Sequence, residues 1–357
     1  MRNRRLTLAA PPPDPFGEWQ RAAYRERLQL LGGRFEFETD DRRLQRVVRA
    51  AYAGLPPHRF APSAPHFRLR LVATAAGGTP GARSEPPPVR SLAGAGLLCG
   101  AMGSANFVTV TVAQRAALLV ASRQALRYPY HVRYELLEFA VYLLAARAQQ
   151  LVPLHAGCIG RGGQGVLLMG PSGSGKSTVV LHCLLGGLDF LAEDSVLVQP
   201  DTLRATGVAS FLHIRPDSLR FLSRAERATL LRNSTTIRRR SGVEKLEIDM
   251  RRPGWPLAAA PLAIRAVVFL SRGRAGRRSP LTPMGKAVAG KRLAASQLYA
   301  ANQPGWRTFR ARLSALPAYE MRRSAHPGEA AAALREVLAE HAAPTRSATR
   351  LTARNEA

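Results

Sequence analysis

Gly170-Pro171-Ser172-Gly173-Ser174-Gly175-Lys176-Ser177 fits the pattern G-x-x-x-x-G-K-[ST], and the chemistry of that pattern is phosphate capture. Glycines let successive backbone N–H groups converge on an anion without Cβ clashes. A helix starting at the lysine adds its unpaired amides and the positive end of its dipole. Lys176 is placed to reach the β- and γ-phosphates, and the Ser177 hydroxyl is a ligand for Mg²⁺; Thr178 extends the loop. A Gly-rich turn that merely starts a helix is the plainer alternative, but the apolar run VLLMG before the loop and the helical run KSTVVLHCLLGG after it supply the strand–loop–helix context that the motif needs.

The next acidic pair is Glu193-Asp194, with Asp194 18 residues after Lys176. One carboxylate can hold Mg²⁺, directly or through water, while the other takes a proton from an attacking hydroxyl. On a regular strand the two side chains point to opposite faces, so both meet the phosphate only where the strand ends or bulges. Asp194 is the better candidate of the two to meet the phosphate, with Glu193 left as a candidate metal ligand; a solvated acidic turn is the alternative. His155, 21 residues before Lys176, opens the strand-like LHAGCIG. Taken alone, a histidine at a strand start is more often structural than functional.

These residues need elements to hold them. In the second half the expected order is the strand LHAGCIG, a turn RGGQG, the buried strand VLLMG, the loop and its helix stopped by Gly186-Gly187, one strand FLAEDSVLV (190–198), a buried strand AVVFLS (266–271) and a closing helix 326–343 with Pro327 in its first turn. In the first half RFEFE, FRLRLVA and NFVTVTV alternate as strands, Asp40 or Asp41 caps a helix that stops at Gly54, and residues 130–150 carry a clear helical period. A helix is also expected over about 113–125, and a loop over 74–88. No catalytic motif falls in this half. The expected units are a flexible arm 1–30, a small α+β domain 31–150, a P-loop domain 151–343 and a disordered tail 344–357.

Net charge is +28, with 52 Lys+Arg against 24 Asp+Glu. Only four of the basic residues are lysines: Lys176, Lys245, Lys286 and Lys291. An arginine skew spread along the chain fits coding bias better than a nucleic-acid footprint, so an anionic nucleotide or acidic peptide is the expected partner and nucleic acid is not. In such a background a lysine at 176 is informative, because a guanidinium fork does not replace a compact ammonium on one phosphate. The stretch TTIRRRSGVEKLEIDMRR (235–252) reads either as a solvated hairpin or as an arginine cover on the γ-phosphate or acceptor. Its Glu247 and Asp249 share one face and are candidates to add a carboxylate to the site. Trp306 and Tyr319 read as core or rim rather than base-stacking residues. No apolar run reaches the ~18 residues of a membrane span, the N-terminus lacks a signal-peptide core, and three cysteines, Cys99, Cys158 and Cys183, match no metal motif. A reducing cytoplasm is the expected location.

LHAGCIG…VLLMGPSGSGKSTVV…LLGGLDFLAEDSVLV resembles the C-terminal kinase domain of the HPr serine kinase/phosphorylase family, most clearly over about 151–200 and more weakly to about 325. The N-terminal half does not resemble that family's usual N-terminal domain, which suggests a related protein rather than the regulatory enzyme itself. The resemblance implies a P-loop kinase fold of the HPr kinase and phosphoenolpyruvate carboxykinase type, with a mixed sheet and helices mainly on one side. It implies His155 as the active-site histidine, Gly170 to Ser177 as the ATP loop, Lys176 as catalytic lysine and Asp194 as proton acceptor. ATP and Mg²⁺ follow as cofactors, a serine on a protein or peptide as acceptor, and a homo-oligomer as an assembly the family often forms. Two departures stand out: Glu193 replaces a first Asp, and His213 in FLHIRPDSL stands where the family has a Mg²⁺-binding Glu. No segment matches the one associated with dephosphorylation. Rival readings are a small-molecule kinase and a non-catalytic nucleotide sensor.

Overall fold

The computed structural model describes residues 22–75, 85–276 and 279–341. Residues 1–21 of the expected arm 1–30, most of the expected loop 74–88 and the expected tail 344–357 lie outside those residues. The first half builds a seven-stranded sheet from β1 (Tyr24–Leu30), β2 (Gly33–Thr39), β3 (His66–Thr74), β4 (Arg90–Gly94), β5 (Leu97–Ala101), β6 (Phe107–Thr111) and β7 (Ala116–Ser122), in the order β1-β2-β3-β7-β6-β5-β4. Helices Arg42–Tyr52 and Glu138–Ala148 cover one face around Phe35, Phe37, Tyr52 and Phe67. Asp41 caps the first of these by accepting from the amides of Arg43 and Leu44.

Two expectations fail here. Residues 24–30, assigned to a loose arm, form edge strand β1, whose Arg25 and Arg27 pair with Glu36 of β2. The helix expected over 113–125 is instead β7, entered through Arg115 at φ 53. The run AALLVAS between β3 and β6 satisfies its backbone in the ladders on both sides, and that tertiary pairing overrides its helical composition. The helix over 130–150 is present, but Val132–Leu137 is wound as a π-helical turn.

The second half builds a mixed sheet from β8 (Val152–Leu154), β9 (Gly157–Arg161), β10 (Gln164–Met169), β11 (Asp189–Ala192), β12 (Val196–Val198), β13 (Arg204–Gly207), β17 (Leu262–Arg274), β18 (Leu281–Pro283) and β19 (Ala318–Arg323). A small antiparallel sheet of β14 (Phe211–Ile214), β16 (Glu244–Asp249) and β15 (Ser234–Arg238) stands beside it. The centre of the large sheet is the parallel pair β10/β17. Alternation along these two strands sends Val166, Leu168, Val268 and Leu270 to one face, and Leu167, Met169, Val267 and Phe269 to the other.

Both faces are therefore apolar and both are covered. Helices Lys176–Leu185 and Pro327–Glu340 pack on the first, and the short helices Lys286–Ser296, Leu298–Ala301 and Trp306–Leu313 on the second. Helices mainly on one side, as the resemblance implied, is corrected on this point. Trp306 is core, whereas Tyr319 is half-buried with its hydroxyl at 3.2 Å from His341. The expected boundary at 150/151 falls between helix Glu138–Ala148 and β8, yet Leu197 of β12 packs into the core of the first half. His58 also crosses the boundary, bonding Thr206 Oγ1 and the Ala258 carbonyl at 2.8 Å each.

Candidate active site

The loop follows β10, beside the end of β17, and opens the helix Lys176–Leu185. Gly173 and Gly175 take φ of 76° and 99°, a region that strains other residues. From outside, Arg272 donates to the Ser172 carbonyl at 2.9 Å, and Arg323 donates to the carbonyls of Gly173 and Ser174. The Ser174 hydroxyl is buried without a hydrogen-bond partner among the described residues. An orphaned hydroxyl inside an amide-rich loop braced by two guanidinium groups fits an anion as its missing partner. Pro171 and Ser172 are exposed at the lip, and Thr178 is turned away, its hydroxyl 2.9 Å from Ser218.

The expected single strand 190–198 is two strands. β11 stops at Ala192, Glu193-Asp194-Ser195 form a bend, and β12 resumes at Val196 on the far side of the sheet. The same happens at LHAGCIG, where β8 and β9 part around His155-Ala156. At the first break Gly157 permits close approach, since a Cβ there would lie 2.9 Å from the Glu193 carbonyl. With the strand interrupted, opposite-face geometry no longer applies, and both carboxylates reach the loop. Lys176 Nζ donates to Asp194 Oδ1 at 2.6 Å, and Ser177 Oγ donates to Glu193 Oε1. His155 Nε2 lies 3.5 Å from the same Asp194 oxygen. His155, Lys176, Ser177, Glu193 and Asp194 thus form one cluster at the loop. Buried Gln297 holds His155 by its backbone, accepting from its N–H at 2.8 Å and donating to its carbonyl at 3.1 Å.

Behind Glu193 the network continues. Glu193 Oε2 accepts from the His213 backbone N–H at 2.7 Å and lies 3.2 Å from His213 Nδ1, while His213 Nε2 lies 2.9 Å from Glu247 Oε2. Arg133, from the π-helical turn of the first half, donates to the same Glu247 oxygen. Burial disfavours charge on His213, but its bonds to Glu193 and Glu247 outweigh that and raise its pKa. Burial likewise pushes the Glu193 carboxyl up, and the bonds from His213 and Ser177 more than reverse it. At Asp194 burial is overcome first by Lys176 and then by His155, so it too sits below the ordinary carboxylate range. His155 is lowered by burial against the pull of Asp194. Lys245 is lowered by burial, partly opposed by the charges of Glu193 and Asp194.

The arginine hairpin is not a solvated face throughout. Arg239 lies over the Tyr134 ring at 4.6 Å, and Arg240 grips Glu135 at 2.6 and 2.8 Å, whereas Arg238 is exposed. Asp249 does not join the site; it is bound by Arg251 at 2.7 Å. Gln297, Arg272 and Arg323 escape sequence reasoning because no local pattern marks them, although the pair Arg322-Arg323 closes the rim segment PAYEMRR. Among the described residues no group of three or more His, Cys, Asp or Glu side chains gathers as a metal site, and no helix is long and apolar enough to cross a membrane.

No family model matches the chain, and no curated protein matches it in sequence. Among solved structures, the HPr(Ser) kinase/phosphatase from Coxiella burnetii aligns at 12% identity with a TM-score of 0.27, over 53% of this chain and 88% of that one. Similarity at that score is a distant one and carries no weight for mechanism, which rests on the side chains.

Proposed function

We propose that this chain is an ATP-dependent kinase related to the HPr serine kinases, transferring the γ-phosphoryl group to a hydroxyl, that of a serine on a protein or peptide. The observation that carries this reading is the meeting of Lys176 with Asp194 and of Ser177 with Glu193 at the mouth of the loop. The loop amides and the unpaired Ser174 hydroxyl bind the phosphates, and Lys176 places its ammonium on the transferring group. Asp194, ionised and exposed enough to be reached, accepts the proton of the incoming hydroxyl. In the free protein Lys176 holds that carboxylate at low basicity; drawing the ammonium toward phosphate weakens that hold and makes Asp194 the better base. His155 lies against Asp194 and orients it.

The donor set fits Mg²⁺. Ser177 and Glu193 offer hard oxygens, and Mg²⁺ in such sites is held by one or two carboxylates together with substrate phosphates rather than by an all-protein cage. Ser177 and Glu193 would hold it, and it would supply charge neutralisation between the phosphates. Half-buried Lys245 adds a cation within the electrostatic reach of Glu193 and Asp194. The test is incubation with γ-labelled ATP and a lysate of the source cells. Label on a serine of a protein or peptide, lost in Asp194→Asn, is the expected result. ATP binding without transfer or hydrolysis selects the sensor reading, and label confined to a small molecule selects the other rival.

A further inference from the structure

The buried chain behind the loop has more in it than phosphate capture requires. Ser177, Glu193, His213, Glu247 and Arg133 are linked end to end by hydrogen bonds, and the last comes from the other half of the molecule, 114 residues away from Glu247 in sequence. His213 has a carboxylate on each ring nitrogen, so both bonds are made as donors only by the imidazolium. Glu247 is 7% exposed and sits opposite His213 in the β14/β16 register, which fixes their pairing by backbone geometry. Arg133 is held in turn, its guanidinium 4.1 Å from the centre of the Phe211 ring and 3.4 Å from Glu138. It sits in a π-helical turn, a winding that is rare and recurs at functional sites.

We propose that Glu247 is a positioning residue for the metal-and-nucleotide end of the site: through His213 it aims Glu193 at Ser177, and Arg133 makes that aim depend on the first half of the molecule. The proposal rests on the kinase reading above and extends it to residues that touch neither phosphate nor acceptor. Carboxylates that orient a ligand through an intervening group typically change metal affinity or activity by about 10- to 100-fold when removed.

The test is equilibrium binding of ATP to the full chain with Mg²⁺ and with the metal chelated, the ratio of the two affinities being the readout. Glu247→Gln should lower that ratio by about tenfold or more, leaving metal-free binding unchanged. Glu193→Gln should lower it as well, and adding Glu247→Gln to it should lower it no further. A purely structural Glu247 would give an unchanged ratio, an equal loss with and without metal, or additive losses in the double variant, and any of these overturns the proposal. Should Glu247→Gln fail to fold, Arg133→Gln reads the chain from its other end: a lowered ratio supports the link and an unchanged one overturns it. A wild-type chain without metal-dependent ATP binding overturns this proposal and the kinase reading together. An intact wild-type ratio with an unaffected Glu247→Gln overturns this one alone.

Discussion

The two large sheets use similar residues to different ends. The seven-stranded sheet keeps its strands whole where they pack: β2 and β3 pair in unbroken register, and their inner face is aromatic, with Phe35 and Phe67 rings 4.6 Å apart. In the mixed sheet the strand-like runs around His155 and around Glu193-Asp194 are each cut in two, and the cuts are where the polar side chains gather. An unbroken strand buries one face and saturates its backbone. A broken one gives up ladder bonds and gains control over where two or three side chains point. The first sheet is built for burial, the second for aim.

That contrast is open to attack, starting with burial. Phe35→Ala should cost about 3–5 kcal/mol in denaturant unfolding, while ATP affinity of the folded fraction stays unchanged; a large change in affinity would mean that the aromatic face also serves the site. Next, Lys176→Ala should cut labelled phosphoryl transfer by about 10²- to 10³-fold, and intact turnover would remove the kinase reading. A smaller effect is expected from Gln297→Ala, which frees both backbone groups of His155: the loss of two bonds to a buried amide should cost about 1–3 kcal/mol, and it should lower the maximal rate more than ATP affinity. Last comes acid sensitivity. His182 on the loop helix is lowered to about 4, first by burial and then by neighbouring His326. The unfolded chain therefore takes up that proton more readily, and stability present above pH about 6.5 is lost as pH falls toward the folded value. Replacing His182 with Asn should flatten that limb between pH 7 and 5 in unfolding midpoints.

How much of this was legible depended on how local each signal was. The loop was readable because its glycines, lysine and serine are contiguous and their chemistry is backbone chemistry. Asp194 and Glu193 were readable as residue types, but their joint arrival at the loop was not, since nothing in FLAEDSVLV announces that pairing stops at Ala192. The run AALLVAS reads as helix until β3 and β6 are known to flank it. Helices on both faces follow from β10 and β17, whose unbroken apolar runs VLLMG and AVVFLS send apolar side chains to both sides of the sheet; that signal was in the sequence, and the one-sided arrangement came from the resemblance instead. His213 stands out in the sequence as a departure and Glu247 as a candidate carboxylate; that they bond is a matter of register between strands, with 34 residues between the two positions, which no local pattern encodes.

Leu197, seated in the core of the first half while its flanking strand belongs to the mixed sheet, has a practical consequence. Excising residues from 151 onward as a stand-alone catalytic fragment would uncover that leucine and strand Glu247 without its guanidinium. Such a fragment should aggregate, and adding back the missing portion as a separate polypeptide should restore solubility if the two recombine.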